Sequence, residues 1–133
     1  MELEWPGDFQ RWLERTEGKA DAGNAYSRRI LELVTAALLQ LRELNGAPVA
    51  ETASLRRVRQ SKRYEVWRVS HPFEQGIAVR LICWFPPETN TVVVALFAGE
   101  KASIGDVFYN SVGDRADALI DQWRREKERI ANE

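Results

Sequence analysis

Tyr64-Glu65-Val66-Trp67-Arg68-Val69, then Ile77–Phe85, then Thr91–Ala98, form the stretch on which the fold turns. In the first segment Tyr64, Val66 and Arg68 fall on one face, and Glu65, Trp67 and Val69 on the other, the period of a strand. His71-Pro72-Phe73-Glu74-Gln75-Gly76 is punctuated by proline and glycine and reads as a loop. Pro86-Pro87-Glu88-Thr89-Asn90 reads as a hairpin turn. Three consecutive strands on short connections predict an antiparallel meander. Their apolar density requires a cover on at least one face.

Upstream, the period changes to that of a helix. Tyr26, Ile30, Leu33, Val34, Ala37, Leu38, Leu41 and Leu44 make one apolar stripe, with Asn24 as N-cap and Gly46 as the terminating glycine. Phe9, Trp12 and Leu13 predict a shorter helix that starts near Asp8 and stops at Gly18. Leu3-Glu4-Trp5 is a short strand or lead-in. Downstream, Val107, Phe108, Leu119, Ile120 and Trp123 predict a closing helix, broken near Gly113 and fraying after Trp123. The expected fold is therefore α+β, a single domain over residues 1–133. An N-terminal helical hairpin packs on a small antiparallel sheet of three or four strands, with a C-terminal helix.

Composition excludes several classes of function. With 19 basic and 20 acidic side chains the net charge is −1, so the chain is no uniformly basic nucleic-acid binder. One cysteine, Cys83, forbids an internal disulfide or a cysteine-based zinc site, and one histidine, His71, forbids a His-rich metal site. No metal and no cofactor is expected. The longest apolar run, Val92–Ala98, is seven residues, far short of a membrane span. MELEWPGDFQ is acidic and lacks the apolar core of a signal peptide, so a cytoplasmic location is expected.

The charge is segregated. Residues 1–55 carry 6 basic and 9 acidic groups, residues 56–101 carry 8 and 4, and residues 102–133 carry 5 and 7. Arg56, Arg57, Arg59, Lys62, Arg63 and Arg68 lie within 13 residues opposed only by Glu65. Such a cluster suits a polyanion site, or else a solvated strand edge guarded against aggregation. Arg80 interrupts an otherwise apolar strand, where a guanidinium is costly to bury without a partner. It predicts a fixed anion contact, or a structural salt bridge to Glu65 or Glu100. Arg68, on the neighbouring strand, would complete a guanidinium pair fit for bidentate phosphate contacts. Lys101 would close the far rim. Tyr109 suits base stacking or the core, and His71 suits proton transfer or plain exposure.

Taken in order, these segments resemble the RelE/ParE toxin superfamily, and more closely its HigB-like, phage-related branch. The resemblance rests on a helical pair, the basic strand ending in Tyr64–Val69, Arg80 ahead of Leu81-Ile82, and Gly99-Glu100-Lys101 after the last strand. It extends through Asp106-Val107-Phe108-Tyr109 and Arg115–Trp123, covering roughly Phe9–Trp123. Glu100 stands where many members carry a basic residue. The resemblance implies a toxin of a type II toxin-antitoxin system that cleaves mRNA on the ribosome without a metal. Its partner would be a cognate antitoxin, often a helix-turn-helix protein. Arg80 would contact the scissile phosphate, Arg68, Lys62 and Lys101 would surround it, and His71, Tyr109 or Lys62 would move protons. Arg56, Arg57, Arg59 and Arg63 would hold the RNA backbone. Two other readings are a non-catalytic relative that binds a protein such as DNA gyrase, and a structural partner-binding module.

Overall fold

The computed structural model describes residues 1–59, 63–70, 80–95 and 101–132, with side chains described for all of these except residues 70, 80, 94, 95 and 101–112. Its elements run β1 (Glu2–Glu4), α1 (Gly7–Asp21), α2 (Ala25–Arg42), β2 (Leu55–Arg57), β3 (Val66–Ser70), β4 (Arg80–Trp84), β5 (Thr91–Ala95) and α3 (Lys101–Ala131). The fold is α+β, with the expected helical hairpin, antiparallel meander and closing helix.

The sheet holds five strands in the order β1-β5-β4-β3-β2, more than the three or four expected. β2, β3, β4 and β5 are antiparallel in sequence order, whereas β1 joins β5 in parallel, with Leu3 opposite Val92. The sheet is therefore mixed.

Strand alternation sorts the side chains into two cores. On one face α1 and α2 bring Phe9, Ile30, Leu33, Val34, Ala37 and Leu41 against Leu55, Trp67, Val69, Leu81, Cys83, Phe85 and Val92. On the other, α3 lays Ala116 and Ile120 over Val58, Val66 and Ile82, with Tyr64, Trp84 and Leu119 at the margin. Cys83 is fully buried, and desolvation raises its thiol far above the ordinary range, so it is inert core.

Three helix boundaries differ from the sequence reading. α1 runs through Gly18 to Asp21, and the left-handed residue of the α1–α2 turn is Gly23, at φ 99°. A single glycine costs a helix only about 1 kcal/mol, and burial of Thr16 and Ala20 on either side offsets it. α2 is capped as expected, the Asn24 side chain accepting from the Ser27 N–H at 2.9 Å. It stops at Arg42, however, with Glu43 as C-cap, and Gly46 has no positive φ. α3 is continuous for 31 residues, unbroken at Gly113 and regular beyond Trp123. Gly113 is buried within the unbroken helix.

Candidate nucleic-acid interface

The register of the meander decides which basic residues share a face. Arg56 stands directly opposite Arg68, and Arg68 opposite Ile82. Arg80 opposes Ser70, so its position is two residues along β4 from Ile82, diagonal to Arg68. Val66 and Ile82, in step with Arg68 and Arg80, belong to the core beneath α3. Arg56 and Arg68 are therefore directly paired positions and Arg80 is diagonal to them, all three on the α3 face of the sheet. Like charges in directly opposed pairs destabilise a sheet. Here the Arg68 Nε is also buried and has no hydrogen-bond partner among the described residues.

The rest of the basic cluster is engaged differently. Arg57, on the edge strand, pairs through Nε with Glu65 at 2.9 Å and lies 5.0 Å over the Trp67 ring. Arg63 pairs with Asp121 and sits 5.5 Å from the centre of the Tyr64 ring. Arg59 is exposed. Two of the four proposed backbone-binding arginines thus already hold carboxylates of this chain. Arg57, Arg59 and Arg63, together with Glu51, Tyr64 and Glu65, line an open groove of about 690 Å³. Lys62 and His71 lie outside the described residues. Lys101 is the first residue of α3 and Tyr109 lies two turns further along it.

Two acidic residues of α3 are engaged beneath the surface or in a side-chain network. Asp117 is 5% exposed, its Oδ2 accepting from the Arg63 N–H at 3.3 Å and its Oδ1 without a partner among the described residues. Asp121, one turn on, accepts from the Tyr64 phenol at 2.5 Å and pairs with Arg63. Arg124 donates to the same phenol at 3.0 Å. The i, i+4 spacing of the two aspartates on the stripe carrying Ala116 and Ile120 was the available signal. The network fastens the middle of α3 to the start of β3.

The phenol's hydrogen bond, followed by the charge of Arg63, holds the Asp121 carboxyl below the usual carboxylate range. A depressed folded-state value gives stability that is present above the unfolded value and lost as pH falls through the folded one. We therefore expect the melting temperature of the wild type to fall more steeply than that of Asp121→Asn as pH drops below about 4. Parallel slopes in thermal melts between pH 5 and 2 would remove Asp121 from that role.

No protein-family model, curated protein or solved structure matches this chain. Among the described residues, no helix is long and apolar enough to cross a membrane.

Proposed function

We propose that this chain is a RelE/ParE-like toxin of the HigB-like branch, acting in the cytoplasm as a metal-independent, ribosome-dependent mRNA endonuclease. The observation that supports it most is the set of arginine positions Arg56, Arg68 and Arg80 on one sheet face, with an Arg68 Nε that no group among the described residues satisfies. A phosphodiester would relieve both the like-charge pairing and the orphaned donor. The order of helical pair, meander and closing helix also agrees with the resemblance.

In such a reaction the ribose 2′-oxygen attacks the adjacent phosphorus, the bond to the 5′-oxygen breaks, and a proton moves from the 2′-hydroxyl to the leaving oxygen. Negative charge builds on a crowded phosphorane. Fixed guanidinium groups stabilise that charge more than the ground state, which is the requirement for catalysis. Arg68 and Arg80 take this role, and Lys62, Lys101, His71 and Tyr109 are the candidates for proton transfer and closure of the site. The partner is a cognate antitoxin, of helix-turn-helix type in the resemblance.

Expression in a bacterial host should arrest growth and produce new 5′ ends in mapped mRNA, and Arg80→Ala should abolish both while the protein stays folded. Arrest without new 5′ ends would overturn the nuclease. The engagement of Arg57 and Arg63 by carboxylates favours a second reading, a non-catalytic protein binder. Inhibition of gyrase supercoiling by the purified chain would select that reading, since a nuclease leaves supercoiling untouched.

A further inference from the structure

The connection from α2 to β2 opens with Asn45-Gly46, the one asparagine of the chain that a glycine follows. Glu43 already caps α2, and Gly46 has no positive φ, so neither residue is needed to end the helix. Both are exposed, and a Cβ at Gly46 would meet nothing within 4 Å. Neither the Gly46 N–H nor the Asn45 carboxamide makes a hydrogen bond among the described residues. Three other asparagines are placed differently. The Asn24 carboxamide accepts from the Ser27 N–H at 2.9 Å. Asn90 precedes the β-branched Thr91, whose N–H donates to the Thr89 hydroxyl at 3.4 Å. Asn110 lies inside α3, where the next main-chain N–H belongs to the helix ladder.

We infer that Asn45 is a site of spontaneous covalent modification, converted by intramolecular attack into aspartate and isoaspartate. The Gly46 nitrogen loses its proton and attacks Cγ of Asn45, forming a C–N bond that closes a five-membered succinimide. The Cγ–Nδ2 bond breaks, and ammonia leaves with the proton. Glycine favours the step, because no side chain hinders the nucleophile and its backbone reaches the ring-closing conformation freely. Water then opens the ring. Addition at Cγ yields aspartate. Addition at the main-chain carbonyl yields isoaspartate, in which the chain runs through Cβ and Cγ. Either product replaces a neutral amide with a carboxylate, so the net charge of −1 becomes one unit more negative. The new charge stands just past the carbonyl end of α2, which already carries negative partial charge. Isoaspartate also adds one carbon to the connection whose Glu51 and Thr52 hold the main chain of β2. Arg68 and Arg80 take no part, so the inference is independent of the nuclease reading.

The test incubates the folded chain at neutral pH and body temperature for several days, beside a urea-unfolded portion. Tryptic peptides should show the mass gain of an amide turned acid in Glu43–Arg56. The gain should be roughly tenfold or more faster than at Asn24 or Asn90, and as fast in the folded as in the unfolded portion. An isoaspartyl methyltransferase with labelled S-adenosylmethionine should label the same peptide. Gly46→Ala should slow the gain about tenfold or more while the protein stays folded, since the added methyl enters open space. Aged wild type should melt lower than fresh protein, and aged Gly46→Ala should not. A folded protein that gains no mass at Asn45 while the unfolded portion does would overturn the site. Equal gain in wild type and Gly46→Ala would overturn the intramolecular attack, and an unchanged melting temperature after full conversion would overturn its effect on α2.

Discussion

Arg68→Met is expected to raise the melting temperature while removing the protein's affinity for RNA. Arg68 lies partly buried on the α3 face, directly across from Arg56, and its Nε has no acceptor among the described residues. A buried donor without a partner costs about 1–3 kcal/mol, and a like-charged cross-strand pair adds to that cost. Methionine keeps the length of the stem and its contacts with the sheet while it removes both penalties. Because the site is only partly buried, the gain should be near the lower end, about 1 kcal/mol or a few degrees in a chain of this size. The loss on RNA should be larger. A guanidinium that meets a phosphate through charge-assisted hydrogen bonds contributes at least about a factor of ten in affinity. Thermal melts and anisotropy with a short RNA measure the two effects on one preparation. Loss of both stability and binding would make Arg68 a structural group; gain of stability with unchanged binding would detach it from the interface.

Such opposed effects on stability and function are what a strained functional position produces. This also explains which parts of the molecule were legible in the sequence. Alternation over Tyr64–Val69 placed Val66 and Arg68 on one face and Trp67 and Val69 on the other. The coordinates agree, because a strand buried on both faces cannot slip by one residue without exposing its core. The same period put Arg80 in step with Ile82. β2 was not legible: Leu55-Arg56-Arg57 is three residues long and mostly basic, and its identity as a strand comes from pairing with Val69, Arg68 and Trp67. Nor was the engagement of the cluster. Arg63 meets Asp121 across 58 positions of chain, a contact fixed by where α3 lands rather than by any local pattern. The glycines misled for one reason. Gly18 and Gly113 look like helix breaks in isolation, but tertiary burial outweighs a propensity cost of about 1 kcal/mol.

The placement of α3 leads to the second large effect, at Ile120. This side chain is fully buried, and with Ala116 it is the helix's contribution to the smaller core over Val58, Val66 and Ile82. Ile120→Ala is expected to destabilise the protein by about 2–5 kcal/mol, the transfer free energy of the lost carbons plus a cavity that the facing strands cannot close. The distribution of the damage is more informative than its size. The larger core, with Phe9, Val34 and Leu41 over Trp67, Leu81 and Val92, lies on the opposite side of the sheet and shares none of these contacts. Amide exchange in Ile120→Ala should therefore accelerate in Gly113–Ala131 well before it does in α1, α2 or the central strands, whereas Phe9→Ala should lower protection across the sheet and the hairpin together. The Tyr64–Asp121–Arg63 network is one residue away on the same helix and holds the same element. Combining Ile120→Ala with Asp121→Asn should accordingly cost less than the sum of the two, since a helix already released has little left to lose. Full additivity would mean that α3 is fastened at two independent points.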